Sequence, residues 1–280
     1  MKNYFTQAAS QRVKGFQWVG YFHLKMRRLR TVKKSLVIFV VLLLCVAALS
    51  GCMGKKNVLR VGTEATFPPF EFTDDDDNII GFDIDINKEI AADNGWEIEV
   101  VHLPFDSLIE SLQTNKLDIA IAAMTIDEVR SKQVLFSNPY YDASQVMVIR
   151  ENEDRNFGTE DIVDLNLLVA VQMGTTGADE GEAIFGAEDH PNLKQYKRVN
   201  EAFMDLKNGR VDLVIIDEPV AKSYMAHFGG MKFLGEPFTN EQYGIAVKKT
   251  NTNLMAKINA SLQKMFDSGK YDDLITKWFD

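Results

Sequence analysis

Cysteine is nearly absent from these 280 residues: there are two, Cys45 and Cys52, and none beyond. The rest of the chain therefore cannot close a disulfide, present a thiolate nucleophile or hold a metal through sulfur. At about 225 residues it is long enough to bury a core without a covalent bridge. Histidine is equally sparse; His102, His190 and His227 show neither metal-ligand spacing nor a paired nucleophile. No Gly-x-Ser-x-Gly, His-Glu-x-x-His or phosphate-loop pattern occurs, so hydrolase, zinc-protease and nucleotide-binding chemistry have no foothold, and no cofactor or metal is expected. Positive charge is also in deficit. A net charge of −9 argues against a nucleic-acid partner, which would be bound through clustered Lys and Arg. What remains, 46% hydrophobic and 25% charged, is a globular chain of one or two domains.

The charge deficit is uneven. Residues 1–51 carry nine Lys or Arg and no acid, leaving 22 positive and 40 negative side chains in the remainder, a net of −18. Within that basic stretch, Arg27, Arg28, Arg30, Lys33 and Lys34 precede an uncharged run from Leu36 to Leu49. The run is too short for a spanning helix, which needs about 20 apolar residues, and suits the apolar region of a secretory signal. Residues 1–51 are thus expected to be a leader and signal peptide whose true start is Met26. Leu49-Ser50-Gly51-Cys52 resembles the bacterial lipobox, which implies acylation of Cys52, a lipidated linker over 52–57 and attachment outside the cytoplasm to the membrane; an ordinary cleaved signal with an incidental Cys52 is the plainer alternative.

From Asn57 onward strand-like and helix-like patterns alternate, predicting an α/β fold. Val58–Gly62 reads as a strand, Phe82–Ala92 as a helix with Phe82, Ile86 and Ile90 on one face, and Trp96–Val101 as an alternating strand. Asp106 is placed to cap a helix holding Leu108, Ile109 and Leu112, followed by the buried strand Leu117–Ala122. The second half restarts: strand Leu167–Val171, the turn Gly174-Thr175-Thr176-Gly177 into a helix, helix Glu201–Lys207, strand Val211–Ile216. Leu112, Lys116, Asp118, Ile119 and Ile121 superimpose without a gap on Leu206, Arg210, Asp212, Leu213 and Ile215. Two similar halves suggest two lobes. Ligands of open α/β sheets sit beyond the carboxyl ends of strands, here Ala123-Met124-Thr125 and Asp217-Glu218-Pro219.

The ordered pieces Val61-Gly62-Thr63-Glu64 through Phe72, Gly81-Phe82-Asp83-Ile84-Asp85, Phe105-Asp106-Ser107-Leu108-Ile109, Thr125-Ile126 with Arg130, Asp217-Glu218-Pro219 and Lys277-Trp278-Phe279 closely resemble the extracytoplasmic solute-binding proteins (family 3) of polar amino-acid ABC importers. The resemblance implies a periplasmic-binding-protein-like (type II) fold: two α/β lobes joined by two crossing strands near Tyr140–Gln145 and Pro237–Gln242. Lobe I would comprise residues 58–141 and 240–280, and lobe II residues 142–239. The implied partners are a free L-amino acid and the permease and ATPase subunits of an importer, with the receptor itself a monomer and not an enzyme. This scaffold also carries cyclohexadienyl dehydratase activity in some relatives, which is the competing class.

An α-amino acid can be placed on these residues. A carboxylate wants a guanidinium and backbone donors, and Arg130 matches the family's carboxylate-binding Arg, although its spacing also fits a surface Arg in a charged helix start. Thr175 and Thr176, at a helix amino terminus, can aim amides at the same carboxylate or simply cap the helix. Asp217 matches the ammonium-binding Asp, with the helix cap as its alternative; the Thr125 hydroxyl and Ala123 carbonyl would complete that site. Gln172, just beyond a strand, joins the ligand-binding set. Phe67 and Phe105 match an aromatic pair that sandwiches the ligand side chain, whereas Phe70, Phe72, Phe82 and Phe136 read as core. Glu64 matches a position that contacts the ligand's side chain. A carboxylate at the end of an aromatic slot suits a planar cation, which puts arginine first, then lysine, ornithine and histidine, with glutamine or a small polar amino acid as rivals. Asp74–Asp77 lacks the ligand alternation of a calcium loop and reads as a solvated hairpin tip.

Overall fold

The computed structural model describes residues 58–155 and 157–280; the leader, the Met26 start, Cys45 and the Cys52 anchor lie outside the described residues. The first lobe opens with β1 (Val58–Thr63) and a small sheet of β2 (Thr66–Phe67), β3 (Glu71–Thr73) and β4 (Ile79–Ile80). It continues through α1 (Phe82–Asn94), β5 (Glu97–His102), α2 (Leu108–Gln113), β6 (Ile119–Ala120), α3 (Glu128–Gln133) and β7 (Val134–Phe136). After the crossing strand β8 (Tyr141–Ala143) the second lobe runs β9 (Gln145–Arg150), β10 (Val169–Gln172), α4 (Thr176–Phe185), β11 (Leu193–Tyr196), α5 (Val199–Lys207), β12 (Leu213–Asp217), α6 (Glu218–Phe228) and β13 (Met231–Leu234). The chain recrosses in β14 (Glu241–Tyr243) and ends in β15 (Ala246–Lys248), α7 (Thr252–Ser268) and α8 (Lys270–Phe279).

The two main sheets have the same plan. One is ordered β5-β1-β6-β15-β7 and the other β11-β10-β12-β9-β13. In each, three parallel strands are followed by a strand antiparallel to them, β15 beside β6 and β9 beside β12. Each antiparallel strand follows directly on a crossing strand, so the hinge continues into both sheets. This is the type II arrangement of two α/β lobes.

The five-position superposition corresponds to one local structure built twice. Asp118 donates its backbone N–H to the Arg60 carbonyl (2.9 Å) and accepts the Arg60 N–H on its carboxylate (2.9 Å). Asp212 makes the same pair with Leu168, at 2.8 and 2.8 Å. The turns before them pass through left-handed Asn115 (φ 58°) and Gly209 (φ 71°), a conformation these two residue types tolerate. The carboxylate satisfies an amide at the start of the neighbouring strand that the ladder leaves free.

Under the crossing strands lies an aromatic core. Phe70 meets Phe82 (6.2 Å), Tyr141 (4.9 Å), Tyr243 (5.2 Å) and Phe279 (5.3 Å), all edge-on. Phe70, Phe82 and Tyr243 are wholly buried, and each such ring contributes about 1.5–3 kcal/mol. Phe72 and Phe136, expected in the core, are only half-buried.

Two local expectations are corrected. Asp106 caps neither neighbouring segment: it lies inside a 3-10 turn over Phe105–Ser107, and α2 starts only at Leu108. The second crossing strand begins at Glu241 rather than Pro237, because Pro237 has no N–H to give to a ladder and the next residues bond Gln145 instead, through the Phe238 N–H (3.0 Å) and the Thr239 hydroxyl (2.7 Å).

Candidate functional site

The carboxyl ends of the two sheets face each other across a narrow cleft. Lobe I lines it with Glu64 after β1, Phe67 of β2, Phe105 of the 3-10 turn, Ala123 and Thr125 after β6, and Arg130 of α3. Lobe II contributes Gln172 at the end of β10, Thr175 and Thr176 at the start of α4, and Asp217 at the end of β12. All ten residues singled out in the sequence meet there, joined by Glu71 and Ala122.

Arg130 is 7% exposed, so the surface alternative does not hold. Its helix is capped by Asp127, whose carboxylate accepts the Arg130 N–H (2.7 Å) and pairs with Nε (3.1 Å). Nη1 donates to the Thr125 carbonyl and Nη2 to the Gly174 carbonyl of the opposite lobe, both at 3.0 Å. The guanidinium lies 5.4 Å from the Phe105 ring centroid. The two hydrogen bonds take one N–H from each terminal nitrogen and leave one on each, the number a bidentate carboxylate takes. Gly174 comes so close to lobe I that a Cβ there would sit 3.0 Å from the Asp106 Cβ, and its φ of +76° favours glycine independently. Across from Arg130, Thr175 caps α4 by accepting the Ala178 N–H (3.2 Å).

Asp217 does not cap α6 with its side chain; it accepts a short bond from the Tyr243 hydroxyl (2.5 Å). Burial, with Glu241 nearby, pushes its carboxyl up to about 7. A carboxylate so placed is completed by a cation. Glu241 of β14 accepts the hydroxyls of Thr125 (2.6 Å) and Thr176 (2.8 Å), one from each lobe. With its proton committed there, the Thr125 oxygen can only accept, as an ammonium requires. Ala123 holds φ at +44°, costly for a residue with a Cβ, and its N–H is pinned to Asp83 Oδ2 (2.7 Å). Pinning the amide leaves its carbonyl as the group able to face a ligand.

Glu64 is 1% exposed. Its Oε2 accepts from the Thr66 hydroxyl (2.8 Å) and Gln172 Nε2 (3.1 Å), while Oε1 has no partner among the described residues. Burial raises its pKa and the Arg198 charge only partly offsets it, as for a carboxylate without a directly bound counter-ion. Glu71, also buried, faces Asp83; burial first and the neighbouring carboxylate second push Glu71 well up, and burial raises Asp83 as well. The Tyr140 hydroxyl, at 2.7 Å, adds a second support to Asp83. Once ionised, Glu64 and Asp217 are the lining acids that a ligand's positive groups would pair, opposite Arg130.

Glu71 and Glu241 are the functional residues that sequence reasoning passed over. A signal for Glu71 was available: a lone acid inside the apolar piece Pro68-Pro69-Phe70-Glu71-Phe72 has to be paired if buried. Glu241 has a local partner in the Thr239 hydroxyl (2.8 Å), but the threonines it joins across the lobes are 116 and 65 positions away, and nothing local marks that role. His102 has a structural part, accepting the Ala65 N–H on Nδ1 (3.0 Å).

Comparison with known proteins places this geometry in context. A match to bacterial extracellular solute-binding proteins, family 3, spans residues 59–280. A protein of Neisseria gonorrhoeae named "Probable histidine-binding protein" is 33% identical over 246 residues, covering 83% of this chain and 91% of that one. The "Arginine-binding periplasmic protein" of Mannheimia haemolytica is 34% identical over 220 residues, 77% of this chain and 88% of its own. Among solved structures, an ancestral arginine-binding protein bound to arginine superimposes with a TM-score of 0.75 at 42% identity, covering 80% of this chain and 99% of its own. An ancestral arginine-binding protein has also been solved bound to glutamine.

Proposed function

The chain belongs to the bacterial extracellular solute-binding proteins, family 3, and from that premise we propose that it is the receptor of an ABC importer that captures a cationic L-amino acid, arginine first, by closing its two lobes. It binds rather than transforms its ligand, like the relatives named as binding proteins. Arg130 and the start of α4 take the ligand carboxylate; Asp217, Thr125 and the Ala123 carbonyl take the ammonium; Phe67 and Phe105 flank the side chain. The observation that carries the choice of ligand is Glu64, a buried carboxylate with one oxygen unpartnered at the end of that slot. A guanidinium stacks on aromatic faces and pairs with a carboxylate in a fork. Glutamine is the second reading, because its side-chain NH2 can also donate to the unpartnered Glu64 oxygen.

Calorimetry against a panel of amino acids tests this. Arginine is expected to bind most tightly, with lysine, ornithine and histidine weaker; tight glutamine binding with no arginine binding would overturn the ligand, and no amino-acid binding would overturn the receptor. The pH dependence adds a second check. With its pKa raised from 3.8 to about 7, ligand-free Asp217 keeps a proton that an ammonium must displace. Arginine affinity is therefore level above about pH 7 and falls below it, approaching tenfold per unit for one proton. Glu64, shifted in the same direction, adds to the fall. The same shift makes burial of Asp217 cost stability as pH rises from 3.8 to about 7, so ligand should raise the melting temperature more at pH 8 than at pH 5. An affinity flat across that range would remove Asp217 from the ammonium site.

The importer setting further calls for tethering near the permease. The Cys52 motif supplies it: a diacylated cysteine holds stably where one chain holds weakly. Mass spectrometry of protein from its host should find an amino terminus at acylated Cys52, and an unmodified terminus further along would refute the anchor.

A further inference from the structure

Helix α5 lacks a cap of its own. The residue before it, Arg198, is extended (φ −128°, ψ 137°) and makes no side-chain cap bond, since a guanidinium has no acceptor to offer. The amide of Val199, first in the helix and wholly buried, donates instead to the Thr66 hydroxyl (3.2 Å), a residue of lobe I 133 positions earlier. The same hydroxyl donates its proton to Glu64 Oε2 (2.8 Å). The Thr66 carbonyl accepts from the Tyr224 hydroxyl of α6 (2.8 Å), so both oxygens of this residue hold lobe II.

We propose that Thr66 is a latch: it caps α5 across the lobe interface and thereby couples contact between Glu64 and the ligand's side chain to closure. The coupling rests on the amino-acid-receptor reading above. One oxygen serves both bonds. Its proton points at Glu64, so its lone pairs face the Val199 amide. A cation at Glu64 holds that carboxylate charged; a charged acceptor strengthens the hydroxyl's bond and polarises its oxygen into a better acceptor for the amide. When the lobes separate, water takes over the Val199 amide, whereas closure without the hydroxyl buries it unpaired. A neutral ligand satisfies the backbone groups of the site but leaves the latch weaker, and this positions Thr66 as a residue that favours cationic side chains without touching them.

Thr66→Val keeps the branched shape and deletes the hydroxyl; Thr66→Ser keeps the hydroxyl. In stopped flow, Thr66→Val should release arginine about five- to a hundredfold faster, the range set by an unpaired buried amide, with association unchanged. Thr66→Ser should return release to within about threefold of the parent. Amide hydrogen exchange at Val199, which a merely local effect on Glu64 would not move, should lose protection in Thr66→Val and keep it in Thr66→Ser. Parental release or undiminished Val199 protection in Thr66→Val overturns the latch. If the parent protein binds no amino acid, the receptor reading falls, and Val199 exchange without ligand decides the latch alone: protection that needs the hydroxyl sustains it, and equal exchange with and without the hydroxyl overturns it.

Discussion

Replacing Arg130 with alanine is expected to weaken amino-acid binding by about a thousandfold, the cost of leaving a desolvated ligand carboxylate without its partner. The ligand-free fold should survive. Asp127, which pairs with Arg130 Nε, keeps 29% of its side chain exposed and can be hydrated, and Asp179, whose charge this guanidinium also favours, is exposed. Arg130→Lys separates charge from geometry: an ammonium supplies the charge but not the planar fork, nor the bond to the Gly174 carbonyl that ties α3 to the opposite lobe. It should recover only part of the loss. Calorimetry with circular dichroism reads both quantities, and binding within tenfold of the parent in Arg130→Ala would show that the carboxylate sits elsewhere.

Glu64→Gln should have the second largest effect, and it should depend on the ligand. Because Oε2 already receives donors from Thr66 and Gln172, a glutamine would turn its carbonyl toward them and its NH2 toward the slot. The group at the end of the slot then changes from an acceptor to a donor. Arginine affinity is expected to fall by at least tenfold, because a guanidinium has only donors to offer it, whereas a glutamine ligand, able to present its own carbonyl, should change little. Equal losses for both ligands would mean that Glu64 holds the site together rather than reading the side chain.

Much of this was legible because the informative residues follow local rules. The helix of α4 announces itself through Gly174-Thr175-Thr176-Gly177, and Asp118 and Asp212 carry their shared role in a shared spacing, since the bonds they make are to the adjacent strand of the same repeated unit. The strand ends that face the cavity follow from how α/β sheets are wound. The illegible part is long-range. Glu71 is pushed well up by its burial and by Asp83, on the next helix, beside it, and Glu241 matters because the crossing strand carries it between two threonines of different lobes. Asp106 satisfied every local criterion for a cap and is not one, because the chain enters α2 through a 3-10 turn. Sequence spacing cannot report which of two short-helix geometries the turn adopts.

The place of β15 between β6 and β7 also orders assembly in time. Lobe II draws its main sheet from one continuous stretch, Gln145 to Leu234, whereas lobe I's is divided until Ala246–Lys248 arrives to join its parts. During synthesis, then, the segment made first is the one completed last: β1, β5 and β6 must wait, with one edge uncovered, while the whole of the other lobe is made. A chain stopped short of Ala246 would own every lobe I residue assigned here to the cavity and still lack the strand that fixes the β6 end carrying Ala123 and Thr125 against the rest of its sheet. The stretch 246–280, contributing nothing to the cavity's lining, is what closes the scaffold on which more than half of that lining is mounted.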